Sequence, residues 1–156
     1  MTQYNHQWIK SKLPHRWPFL HVDRVTKIGN NSIEGYKNVS ASESAFLGHF
    51  AEVSIFPGVL IIESLAQLSG MFLIPKLPEA IEGEAPFVNT KIGLLTSVRN
   101  FKFIKVVEPG DRLELKSILK GSNADCYIFS VSAFVDGHQV AVGELQLFLQ
   151  EREVVM

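Results

Sequence analysis

Apolar and polar positions alternate along most of this chain, and in one segment they do not. Between Pro57 and Pro75, the run from Val59 through Ile62, Leu65, Leu68 and Met71–Leu73 places apolar side chains around nearly the whole circumference of a helix. Proline is favoured at a first helical position and stops a helix from beyond its end, so Pro57 and Pro75 bracket the element. A helix that is apolar all round is buried. This one falls short of the ~20 residues that a bilayer requires, so the rest of the protein must wrap it.

The flanking segments supply the wrapper. Residues about 1–15 read as a short helical arm stopped by Pro14. A strand from Val22 breaks at Gly29-Asn30-Asn31, and a second runs over Ser32–Val39, which predicts a hairpin. After a Pro-, Glu- and Gly-rich loop (Pro75–Pro86), alternation predicts strands over Phe87–Leu95, Val98–Val107, Arg112–Lys120, Cys126–Val135 and Gln139–Gln150. Turn signals at Pro109-Gly110-Asp111, Gly121-Ser122-Asn123 and Asp136-Gly137 separate the later ones. In the last strand, Ala141, Gly143, Leu145, Leu147 and Leu149 share one face, opposite Glu144 and Gln146. The expectation is an α+β fold: a curved antiparallel sheet, laid out as a meander, wrapped around one long helix, in one domain over residues 1–156.

Composition narrows the function classes. Hydrophobic residues make up 46% and charged residues 20% of the 156, an ordinary globular balance. Fifteen Lys and Arg against 16 Asp and Glu give a charge of −1, which argues against a nucleic-acid binder. The single cysteine, Cys126, forms no internal disulfide and no multi-cysteine metal site; its apolar run suggests a buried thiol. The polar N-terminus, without an apolar signal core, predicts a cytoplasmic protein with no membrane span.

The helix has one charge in its interior, Glu63, with Gln67 four residues on and Gly70 beyond, all on one face. An unpaired carboxyl in apolar surroundings favours its protonated form, and a protonated carboxyl is a proton donor. The alternative is a Glu63 that meets water, a partner lysine or the helix rim. His49, between Gly48 and Phe50 just ahead of the helix, is either a structural histidine or the matching base. Gly58 near the helix start leaves backbone N–H groups open to developing negative charge. The three together suggest a site that stabilises an enolate-like oxyanion. His6, His15, His21 and His138 show no metal-ligand spacing. Arg99, Lys102 and Lys105, interleaved with Phe101 and Phe103, form either a solvated strand face or a docking patch for an acidic partner.

The stretches LPHRWPFLHVDRV (Leu13–Val25), GHF (Gly48–Phe50), IFPGVLIIESLAQLSG (Ile55–Gly70) and VRNFKFIKVVEPGDRLEL (Val98–Leu115) closely resemble the FabZ-type 3-hydroxyacyl-[acyl-carrier-protein] dehydratases. The resemblance spans nearly the whole chain in the same order. It implies a hotdog fold and a homodimer with active sites at the interface, alone or as a trimer of dimers. It also implies dehydration of a (3R)-3-hydroxyacyl thioester on acyl carrier protein to the trans-2-enoyl form, in fatty-acid or related lipid or polyene biosynthesis, without metal or organic cofactor. Carried over, His49 is the base and Glu63 the acid, contributed by opposite subunits. The Gly58 N–H polarises the thioester carbonyl, and Gln67 supports.

The chain also departs from that family. Where such enzymes usually continue GHF with PGKP, this chain has Ala51-Glu52-Val53-Ser54, and Trp17 and His21 stand where tyrosine and leucine are common. Two other readings remain open here. A FabA-like dehydratase/isomerase would carry aspartate at the acid position. A hotdog thioesterase or acyl-binding protein would leave His49 without a task.

Overall fold

The computed structural model describes residues 4–74 and 91–151. Helix α1 (His6–Lys12) is capped by the Asn5 side chain, which accepts from the Trp8 N–H, and ends at Leu13, ahead of Pro14. Strands β1 (Arg24–Ile28) and β2 (Ser32–Asn38) form the expected hairpin, closed by the Gly29 N–H on the Ser32 carbonyl. A 3-10 turn (Ser44–Leu47) leads to α2 (Gly58–Leu73). Strands β3 (Lys91–Phe103), β4 (Arg112–Asn123), β5 (Cys126–Val135) and β6 (His138–Glu151) follow. All six strands join one antiparallel sheet in the order β1-β2-β4-β5-β6-β3.

Helix α2 packs chiefly on β4 and β2, and Leu65, Leu68 and Met71 are fully buried there. Burying side chains of this size stabilises the fold by about 1.5–3 kcal/mol each. The helix also buries serines, and each finds an acceptor. Ser64 donates to the Leu60 carbonyl, and Ser69 to the Leu65 carbonyl while sharing a 2.6 Å bond with Ser117 of β4. Satisfied in this way, the hydroxyls cost little in an apolar core. Gly35 of β2 lies against this helix at close range: a Cβ there would collide with the Arg24 carbonyl and press on Leu68.

Several expectations are corrected. Pro57 is the residue before the helix rather than its first residue. The first turn of α2 is wrapped on one side only, since Val59 is 70% exposed while Ile61 is buried. The two strands expected over Phe87–Leu95 and Val98–Val107 are one strand, β3, whose register shifts at Leu95/Ser97 and Arg99/Lys102 absorb the break in alternation. Residues 75–90, which include the Pro-rich loop and the start of the first of those strands, lie outside the described residues. Only β4-β5-β6 form a meander, because β3 crosses to the far edge and pairs with β6. Gly121-Ser122-Asn123 belongs to β4, and the turn falls at Ala124-Asp125, with Ala124 at φ 53°. Cys126 is half-buried at the start of β5. By contrast, Asp136-Gly137 makes the expected tight hairpin, both residues at positive φ.

Candidate active site

The loop from Leu13 to His21 crosses the middle of α2, and Gln67 ties the two together. Its side-chain oxygen accepts from the His21 N–H (2.8 Å), and its Nε2 donates to the Phe19 carbonyl (2.8 Å). The same Nε2 also donates to Glu63 Oε1 (2.9 Å), one turn earlier on the helix. Gln67 is 2% exposed and uses both ends of its amide. Glu63 is therefore not an isolated carboxyl in apolar surroundings, as its sequence setting suggested. Its Oε1 also faces His15 Nε2 at 3.5 Å.

Glu63, Gln67 and His15 line a cavity of about 230 Å3 whose remaining wall is largely apolar, with Ile92, Leu94 and Leu147 from the sheet. Gly70 lies along it, and a Cβ there would meet nothing within 4 Å, so the helix leaves that length of the cavity open. Burial holds the His15 ring below the usual histidine range, Glu63 opposing and Arg16 reinforcing this.

His49 sits elsewhere in the chain and is not among the residues that line this cavity. Its Nδ1 lies 2.7 Å from the Ile55 carbonyl, and its ring stacks on Phe50 at 4.0 Å. A carbonyl only accepts, so Nδ1 carries the proton and Nε2 of the neutral ring keeps its lone pair, as a base requires. The loop is pinned twice more, by Phe50 N–H to the Val53 carbonyl and Ile55 N–H to the His49 carbonyl. The altered residues Ala51, Glu52 and Val53 form its exposed tip.

Gly58 opens α2, where the first N–H groups have no intrahelical acceptor. The Phe103 ring lies so close that a Cβ on Gly58 would approach it to 2.9 Å. Arg99, Lys102 and Lys105 are exposed on and just after β3, and none lines the cavity. Among the described residues, no three of His, Cys, Asp and Glu cluster as a metal site would need. No described helix is long and apolar enough to cross a membrane.

His15 is the residue the spacing of histidines missed. The signal available was its place in the Pro14-His15-Arg16 triplet. Its pairing with Glu63 is tertiary and leaves no local pattern. His21, which the sequence marks only as a departure from a common leucine, is 3% exposed, and neither ring nitrogen has a partner among the described residues.

Comparison with known proteins accounts for this combination of fold and residues. A family model described as a FabA-like domain matches residues 13–144. The 3-hydroxyacyl-[acyl-carrier-protein] dehydratase FabZ of Acinetobacter baumannii is 43% identical over 147 residues, 94% of this chain and 97% of that one. Its counterpart from Campylobacter lari is 37% identical over 145 residues, covering 92% and 96%. Among solved structures, the dehydratase heterocomplex ApeI:P from Xenorhabdus doucetiae superposes with a TM-score of 0.72 at 18% identity, over 92% of this chain and 91% of that one. A hypothetical thioesterase with coenzyme A from Streptococcus pneumoniae gives 0.58 at 13% identity, over 82% and 85%. At such identities the structural likeness is one of fold, the hotdog. With its FabA-like domain and its close sequence match to the FabZ enzymes over nearly their whole length, the chain belongs to the FabZ family of 3-hydroxyacyl-[acyl-carrier-protein] dehydratases.

Proposed function

We propose that this protein, one hotdog domain per chain, dehydrates (3R)-3-hydroxyacyl-[acyl-carrier-protein] to the trans-2-enoyl thioester, with His49 as base and Glu63 as acid. The observation that carries the assignment of roles is the His49 tautomer, whose Nδ1 bond to the Ile55 carbonyl leaves Nε2 free to accept a proton. His49 Nε2 takes the proton from the α carbon, whose electron pair becomes the new double bond between the α and β carbons. The β C–O bond breaks, and the Glu63 proton goes to the departing hydroxyl to form water. The Gly58 N–H stabilises the enolate-like charge on the thioester oxygen meanwhile. Each turn leaves His49 protonated and Glu63 ionised, and proton exchange with water resets both.

The apolar wall along Gly70 suits an acyl chain. The two catalytic groups belong to opposite subunits in this reading, and two features support it. His49 does not line the cavity that holds Glu63. In addition, β3 is a long edge strand with Leu94, Leu95, Val98 and Phe103 exposed, beside the exposed Val59 of α2. An apolar edge of this kind pairs readily with a second strand, here that of a second copy. The dimer works in the cytoplasm, alone or as a trimer of dimers.

The test follows (3R)-3-hydroxydecanoyl-carrier protein by mass, with the released acyl product chromatographed against trans-2 and cis-3 standards. Loss of 18 mass units with a trans-2 product, as the mass of one water requires, is the expected result. A cis-3 product would move the reading to a dehydratase/isomerase, and free thiol without water loss to a thioesterase.

Arg99, Lys102 and Lys105 serve as the docking patch for the acidic carrier protein in this reading, being exposed on the edge strand and just after it. Reversing all three charges should lower kcat/KM for carrier-bound substrate by about tenfold or more and weaken its salt dependence, with kcat little changed. Unchanged kcat/KM would remove the patch from the mechanism.

A further inference from the structure

Glu63 presents an asymmetry that the two-residue mechanism does not use. Both of its protein contacts, from Gln67 Nε2 and His15 Nε2, fall on Oε1, and Oε2 has no hydrogen bond among the described residues. The Gln67 contact is a donor by necessity, because amide nitrogen does not accept. The His15 contact has the same sense, for a different reason. His15 Nδ1 is buried without a partner among the described residues, so a proton there would be an unsatisfied buried donor, whereas a proton on Nε2 faces a carboxyl oxygen. Resting on the dehydratase reading above, we infer that His15 is a positioning residue: neutral and protonated on Nε2, it acts with Gln67 to hold Glu63 Oε1 as the acceptor oxygen and so assigns the acidic proton to Oε2.

The arrangement favours the transition state over the ground state. While Glu63 is protonated on Oε2, Oε1 is a carbonyl oxygen that accepts from Gln67 and faces the neutral His15 N–H. As the proton leaves, charge develops on the carboxyl, the Gln67 bond strengthens and the His15 N–H is drawn in. A cationic His15 would act differently, stabilising an already ionised Glu63 and removing the acid before the reaction. The surroundings oppose that cation. Arg16 lies on the same loop and His21 beyond it; Lys12 of α1 and Lys91 of β3 stand on the cavity wall, Lys91 held by Asp125 and Glu151. At 3.5 Å His15 Nε2 approaches Oε1 at the limit of hydrogen-bond distance, an approach of the kind that tightens into a bond when substrate closes the site.

Imidazole 15N shifts of the full-length wild-type protein at pH 7 to 8 read the tautomer directly, without any turnover. His15 in the Nε2–H form is expected, and the Nδ1–H form or a cation would overturn the inference. In kinetics, His15→Ala should lower kcat about 10- to 100-fold with a smaller effect on KM, the range expected for one hydrogen bond to a charged group. His15→Gln, whose amide nitrogen reaches the position of Nε2, should recover most of the lost kcat. A correctly folded His15→Gln no faster than His15→Ala would overturn the role. If the wild type fails to dehydrate, the dehydratase reading falls, while the tautomer still decides whether His15 donates to Glu63. The same measurement decides it where His15→Ala does not fold.

Discussion

His49→Ala and Glu63→Gln should each reduce dehydration by about 10²–10⁴-fold, the range for loss of one general acid or base, and co-refolding the two inactive proteins should restore activity. Neither substitution threatens the fold. Among the described residues His49 makes one side-chain hydrogen bond, to the Ile55 carbonyl, in a loop that backbone bonds also hold. A glutamine at position 63 still offers Gln67 Nε2 an acceptor oxygen. The restoration follows from a site shared between subunits. In a mixed dimer, one site collects both substitutions and the other collects neither. With random association about half the dimers are mixed and half their sites are intact, so the mixture should reach about a quarter of the wild-type rate. Each protein refolded alone is the control. Were both groups drawn from one chain, every site would keep one broken residue, and the mixture would stay at the level of its components. The measurement thus separates the assignment of His49 and Glu63 from the claim that they meet across an interface.

What could be read in advance divides along physical lines. The central helix was legible because its apolar residues ignore any face, a property of consecutive positions. The β1–β2 and β5–β6 hairpins were legible because Gly29-Asn30-Asn31 and Asp136-Gly137 carry their own backbone preferences. The pairing of β3 with β6 was not, since nothing local says which strand a long edge strand will choose. Thr96-Ser97 and Gly121 resemble breaks, yet a shift of register on the neighbouring strand accommodates each. The candidate site divides in the same way. His49, Glu63 and Gln67 were legible from residue type and helical spacing, and from the motifs that carry the family resemblance. The polar surroundings of Glu63 were not, because His15 and the Phe19–His21 backbone reach it through the folding of a distant loop.

His21 carries the second large effect, on stability rather than turnover. Its ring lies among Phe19, Phe56 and the pair of buried Lys37 with half-buried Glu43, 3% exposed and with both nitrogens unpartnered among the described residues. Burial first, then the Lys37 charge and a smaller contribution from His15, lower its pKa from 6.5 to about 4, against a weaker opposing pull from Glu43. The folded state therefore holds the ring neutral at a pH where the unfolded chain protonates it. Between about pH 6.5 and pH 4 the unfolded state binds more protons, so stability falls as pH falls through that window and levels off below it. At pH 5 this one residue should cost about 2 kcal/mol relative to pH 8. Substituting His21→Leu, with a side chain of similar size and no polar atoms, should remove that dependence. It should also add about 1–3 kcal/mol at neutral pH by eliminating two unsatisfied nitrogens. The Gln67 bond survives the change, because the backbone N–H of residue 21 makes it. Urea unfolding at pH 8 and pH 5, at one protein concentration for both proteins, is the measurement, since association shifts apparent stability. The difference between the two pH values should shrink by about 2 kcal/mol in His21→Leu. An equal pH dependence in the two proteins would mean that the ring finds a proton acceptor or water in the folded state, and that acid lability arises at the carboxylates instead.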